Sequence, residues 1–108
     1  MTSPATWSAL ADPHRRAVLE LLLERPRSVG ELVERLELTQ PSTSKHLRVL
    51  RDAGLVTVRQ DRQRLRIHGV DAPLAELHSW LTRYRRLWDD RLDALERRLE
   101  ATDHEEDQ

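Results

Sequence analysis

From Leu74 to Leu99 an apolar side chain returns every three or four residues: Leu74, Leu77, Leu81, Tyr84, Trp88, Leu92, Leu95 and Leu99. That period belongs to one face of an α-helix. Asp71-Ala72-Pro73 in front of it supplies the start, an acceptor side chain followed by a residue of fixed φ. The pattern predicts a helix to about Ala101, with Thr102 to Gln108 left as an acidic, disordered tail. A continuous helix of that length would span about 45 Å, more than one small core can cover. The spacing slips once, between Trp88 and Leu92, so a strict heptad seam is not kept. A second polypeptide is expected to cover this face.

The chain has 108 residues, which suits a single domain, expected over residues 6–101. No uninterrupted apolar run is longer than Leu21-Leu22-Leu23, which excludes a helical membrane span. The first residues show neither a basic start nor a long apolar stretch, so no secretory signal is read. There is no cysteine, and with it go disulfides, thiolate metal sites and thiol redox chemistry. A soluble cytoplasmic protein without membrane association is the expectation. The formal net charge of −1 hides two unlike halves. Residues 1–70 carry 12 basic and 8 acidic side chains, residues 71–108 carry 6 and 11. The cationic excess is concentrated in residues 38–70, with seven basic side chains against two acidic ones.

The first half divides at clear punctuation. Thr6 can cap a short helix carrying Trp7 and Leu10. Asp12-Pro13 starts the next, in which Ala17, Val18, Leu21 and Leu22 mark one face, and Arg25-Pro26-Arg27 ends it. Ser28-Val29-Gly30-Glu31 has the spacing of a capping box, with Leu32, Val33 and Leu36 inward. Thr39 or Gln40 caps the following helix, with Pro41 in its first turn and Gly54 just past its end. There Thr43, Leu47 and Leu50 fall on the buried side of a 3.6-residue wheel. Ser42, Lys45, Arg48 and Val49 point away, with His46 flanking. Leu55–Arg59 and Arg64–His68 are β-prone runs around Gln60-Asp61-Arg62-Gln63, a hairpin with arginine at its tip. The fold class expected is mainly α with one small β-hairpin.

A capped helix with a polar, cationic face beside a basic hairpin suits the major groove of DNA. Small polar or basic side chains are needed near the helix N-terminus, which approaches the base edges; Gln40, Ser42, Lys45 and His46 meet that need. Arg48 and Arg51 lie further along, where phosphates would be. Arg62, with Arg64 beside it, could enter a narrow minor groove. Double-stranded DNA is the partner expected.

Ala9-Leu10-Ala11-Asp12-Pro13-His14-Arg15-Arg16, Ser28-Val29-Gly30-Glu31-Leu32, Gln40-Pro41-Ser42-Thr43-Ser44-Lys45-His46-Leu47-Arg48-Val49-Leu50 and Ala53-Gly54-Leu55-Val56 together resemble the ArsR/SmtB family of bacterial winged helix-turn-helix repressors. The resemblance covers roughly residues 6 to 100. It implies a homodimer that binds an inverted-repeat operator and represses until an effector lowers its affinity. It also places Gln40, Ser42, Thr43, Ser44, Lys45 and His46 in the recognition helix. The first and last helices build the dimer interface in that family, which implicates Trp7, Leu10, Leu77, Leu81, Tyr84, Trp88, Leu92 and Leu95. Tryptophan is enriched at interfaces, and Trp7, Trp80 and Trp88 all lie in those two helices. Trp80 to Trp88 resembles a subgroup lacking the cysteine metal site. One departure is the wing tip. Relatives commonly have glycine there, whereas this chain has Asp61-Arg62-Gln63, of which Asp61 best tolerates positive φ.

Other readings fare worse. Metal-sensing relatives carry thiols where Val33 and Arg35 stand here, and an arginine repels a cation. A non-cysteine metal site would have to combine His78 with Asp71, or with Asp103 and His104. No metal or cofactor is therefore expected. Ser44 and His46 are two apart and do not face each other on a helix. Asp89 and Asp93 have Arg85 and Arg97 as ordinary ion-pair partners, so no catalytic site is read. A winged-helix interaction module that works through its long helix without DNA is the alternative from another class. The sequence also leaves room for a small-molecule effector of unknown identity.

Overall fold

The punctuation of the first half is realised almost residue for residue. The computed structural model describes residues 2–106; Met1, Asp107, Gln108 and the side chains of His104, Glu105 and Glu106 lie outside the described residues. The order is α1 (Pro4–Leu10), α2 (Pro13–Glu24), α3 (Val29–Leu36), α4 (Gln40–Asp52), β1 (Val56–Asp61), β2 (Arg64–Gly69) and α5 (Asp71–Glu106). The chain divides into two compact units between Glu76 and Leu77.

In the first unit each helix begins on a side-chain cap. Ser3, not Thr6, caps α1: its hydroxyl accepts from the Thr6 amide at 3.2 Å. Pro4 sets the start upstream, because its fixed φ suits the first helical position and it has no donor to satisfy. Asp12 caps α2, accepting from the amides of His14 (2.7 Å) and Arg15 (3.3 Å). Desolvation pushes the Asp12 carboxyl up. The two amides, with the charges of His46 and Arg15, outweigh it and hold the group below its ordinary value. Two arginines of the first turns reach back: Arg15 donates to the Ala9 and Ser8 carbonyls, and Arg16 to that of Leu10. They satisfy the orphan C-terminal carbonyls of α1.

Ser28 accepts from the Glu31 amide at 3.2 Å, as the capping box requires. A hydrogen bond from Arg25 is the main cause holding the Glu31 carboxyl below its ordinary range, against some desolvation and helped by the Ser28 amide and Arg27. The helix ends on Glu37 at φ 53°, and the Leu38 amide donates to Val33. A left-handed non-glycine residue costs about 1–2 kcal/mol. Glu37→Gly is therefore expected to stabilise the protein by about 0.5–1 kcal/mol after the extra chain entropy of glycine. A higher urea midpoint at unchanged slope would register it.

Thr39 caps α4 through the Ser42 amide at 3.2 Å. Gly54, at φ 76°, closes its far end: its amide donates to Arg51, and the Leu55 amide donates to Leu50, each at 2.9 Å. This is a Schellman motif. The Val70 amide then donates to the Leu55 carbonyl at 2.9 Å, so the fully buried Leu55 joins the end of α4 to the far end of the hairpin.

The core gathers Ala9 of α1, Val18, Leu19 and Leu22 of α2, Leu32 of α3, Leu47 and Leu50 of α4, and Leu55, Val56 and Ile67. Leu19 is buried although the helical face read from the sequence passed over it, and Val49, read as outward, is partly buried against this core.

The hairpin pairs Val56 with Gly69 through Asp61 with Arg64, leaving Arg62 and Gln63 as the loop. Val56, Val58, Leu65 and Ile67 share the inward face; Thr57, Arg59, Arg64, Arg66 and His68 share the other. Arg27 adds a short third edge, exchanging backbone hydrogen bonds with Ile67 at 3.1 and 2.7 Å. Its side chain is only 4% exposed. The guanidinium donates to the Leu21 carbonyl (3.0 Å) and to Glu24 (2.6 Å), and lies 3.6 Å from Glu31.

The second unit is the remainder of α5. The helix runs to Glu106 instead of stopping near Ala101, since no glycine or proline interrupts it, and the Thr102 hydroxyl is absorbed by the Arg98 carbonyl at 3.0 Å. Trp80 stacks on Tyr84 with ring centres 5.0 Å apart, and Tyr84 meets Trp88 edge-on at 5.9 Å. Leu81, Tyr84, Leu87, Trp88, Leu92, Leu95 and Leu99 are exposed. No described helix is long and apolar enough to cross a membrane.

Candidate nucleic-acid interface

Helix α4 separates its residues by the wheel. Thr43, Leu47 and Leu50 face the core, while Gln40, Ser44, Lys45, Arg48 and Arg51 are exposed and Ser42 is half-buried. Thr43 is 0% exposed and its hydroxyl donates to the Thr39 carbonyl at 2.9 Å. It cannot offer a group to a base edge, so the DNA-contacting role that the family resemblance gave it is corrected to a structural one. His46 is half-buried, its ring centre 5.7 Å from that of His14 on α2, and its Nδ1 is buried without a hydrogen-bond partner. Of the expected base readers it is the least free to reach outward.

Among the described residues, none of Lys45, Arg48, Arg51, Arg59, Arg62 and Arg64 takes part in an ion pair. Arg25, Arg27 and Arg66 do: they converge on Glu31 at 2.9, 3.6 and 3.8 Å. Arg25, Arg27 and Arg66 thus form a compensated set that ties elements together. Among the described residues of the first unit, Arg16 on α2 and Arg35 on α3 are also in no ion pair, but the other six uncompensated cations lie on α4 and the hairpin. An uncompensated cationic set is the electrostatic footprint of an anionic partner. Arg59 belongs to it, although the sequence marks it only as the end of a β-prone run and not as a DNA contact; strand alternation opposite Arg64 and Arg66 is the signal that could find it.

The loop places Arg62 at φ 59°. Asp61, the residue better suited to positive φ, is instead the last paired residue of β1, because the turn is only two residues long. Such loops favour glycine or asparagine at this position, so arginine is held there at about 1–2 kcal/mol.

Residues 12–58 match the family described as bacterial regulatory protein, arsR family. The HTH-type transcriptional regulator Rv2034 of Mycobacterium tuberculosis is 43% identical over 79 residues, covering 72% of this chain and 73% of that protein. The chain belongs to the arsR family. The probable mercury resistance operon repressor of Streptomyces lividans is 38% identical over 76 residues, 70% of this chain and 61% of that one. An ArsR-like transcriptional regulator from Rhodococcus sp. RHA1 superposes with a TM-score of 0.68 at 30% identity, over 84% of this chain and 86% of that one. The mainly helical winged helix-turn-helix architecture expected from the sequence is the one observed. In arsR terms α3 and α4 are the helix-turn-helix and β1–β2 is the wing.

The residues expected at a dimer interface do not all share one environment. Trp7, Leu81, Tyr84, Trp88, Leu92 and Leu95 are exposed, whereas Leu77 is half-buried and Leu10 packs partly against the core of the first unit. Among the described residues no three His, Cys, Asp or Glu side chains gather closely enough to hold a metal.

Proposed function

We propose that this arsR-family chain is a sequence-specific DNA-binding transcriptional regulator, acting as a homodimer on an inverted repeat and repressing from it. The observation that carries the reading is the uncompensated row of small polar and cationic side chains along the exposed face of α4, beside a wing with free arginines. Gln40, Ser42, Ser44 and Lys45 read base edges near the helix N-terminus, with His46 at the margin. Arg48, Arg51, Arg59 and Arg64 meet phosphates, and Arg62 reaches the flanking minor groove. A second copy covers the apolar stripe of α5, which is too long and too exposed to remain in water. Recognition helices related by a two-fold axis would then sit about 34 Å apart, one turn of DNA.

The test is selection from a random duplex pool, followed by affinity measured against salt. Enrichment of an inverted repeat with steeply salt-dependent binding is expected; no enrichment at low salt would sink the reading. On the selected site, Lys45→Ala should cost about 1–3 kcal/mol if the ammonium contacts a guanine edge. It should also relax preference at a single base position, which a lost phosphate contact would leave intact.

A further inference from the structure

Between α4 and the inward face of the wing lies a groove of about 540 Å³, within the ~300–1,000 Å³ range of small-molecule sites. Its deeper lining is apolar: Leu47, Val56 and Ile67 are buried, Val29 and Val58 half-buried. Leu65, at its edge, is 62% exposed, a large apolar side chain held in water beside an apolar cleft. Arg48 and Arg51 line the same groove from α4, with Ser44 and Asp52, and all four are exposed. Arg48 and Arg51 are three residues apart, hence neighbours on the helix surface. Among the described residues neither is in an ion pair. Two guanidiniums at the rim of an apolar cleft are complementary to a molecule with a carboxylate at one end and a hydrocarbon body at the other. Asp52, the one carboxylate at this rim, opposes an anionic head group, but against two guanidiniums it leaves the rim cationic.

We infer that this groove is a binding site for a small amphipathic carboxylate, which occupies Arg48 and Arg51 and so competes with DNA. The site stands on the groove itself; its regulatory consequence rests on the DNA-binding reading above. A bound carboxylate takes the two cations that would otherwise meet phosphate and fills the space between recognition helix and wing. The ligand therefore acts as an inducer without moving any domain.

The test uses the full chain with decanoate as probe and decanol as its neutral counterpart, titrated calorimetrically below the micellar range. Decanoate is expected to bind saturably and about tenfold or more tightly than decanol, the preference a charge-assisted contact provides. Leu65→Glu puts a like charge at the edge and Leu65→Trp narrows the cleft. Each should weaken decanoate about tenfold or more while leaving circular dichroism unchanged. Equal binding of acid and alcohol, or parental decanoate affinity in both variants, overturns the site. Decanoate should also release the selected duplex from the parent chain but not from Leu65→Trp; release from both overturns competition at the groove. A chain that selects no DNA yet prefers decanoate over decanol refutes the regulator reading and supports the site.

Discussion

A chain carrying Trp88→Ala and Leu92→Glu is expected to run at monomer mass in sedimentation and to bind an inverted-repeat duplex about 10²–10⁴-fold more weakly than its parent. That range is the avidity lost when two linked half-site contacts become independent. Both positions lie on the exposed apolar stripe of α5 one turn apart, and neither belongs to the core of the first unit. The substitutions keep good helix formers in place, so the helix itself should persist. Affinity for an isolated half-site should be unchanged, because α4 and the wing are untouched. A double variant that still sediments as a dimer would remove the stripe from the interface. A monomer with undiminished affinity for the full repeat would separate dimerisation from recognition.

The second large effect is on stability. Arg27→Ala is expected to cost about 2–3 kcal/mol, lowering the thermal midpoint by roughly 10–20 °C in a domain of this size. The guanidinium is buried and joins the end of α2, through Leu21 and Glu24, to Glu31 at the start of α3. Its removal leaves the Leu21 carbonyl with only the long 3.5 Å bond from the Arg25 amide, and part of the Glu31 charge without its partner. Glu24 is largely exposed, which sets the estimate at the low end of what breaking a buried ion pair costs. Arg27→Lys should recover less than half, since an ammonium cannot hold three separated acceptors in the planar fork that arginine offers. Glu24→Gln, which alters only the exposed partner, should stay within about 1 kcal/mol of the parent. If Arg27→Ala melts with the parent, the guanidinium is not a structural tie.

The features legible in the sequence were those whose physics is local. Asp12-Pro13, the Ser28–Glu31 capping box and Gly54 each concern a side chain and an amide a few residues away, and each stands where expected. The buried face of α4 followed from period alone. Apart from two local misreadings, the cap of α1 (Ser3, not Thr6) and the end of α5 (Glu106, not near Ala101), errors came where a neighbour distant in sequence decides. Arg27 reads only as part of a helix end until Ile67 and Glu31 are placed beside it. His46 reads as a flanking polar residue until His14 is set against it, and Val49 reads as outward until the core closes over part of it. Thr43 was exposed by family analogy and buried by its own wheel position, and the wheel was the better guide. The positive φ at Arg62 depended on strand register, which shifted the turn one residue past Asp61.

Leu55 bears on how operators can vary. Its amide is tied to the last turn of α4 and its carbonyl to Val70, beyond the second wing strand. The recognition helix and the base of the wing are therefore anchored to one buried residue. Whatever flank the wing touches lies at a set distance from the bases beneath α4. With α4 and the wing meeting DNA as proposed, half-sites lengthened or shortened by a single base pair should fail to engage both, and spacing, as much as base identity, would become part of what this protein discriminates.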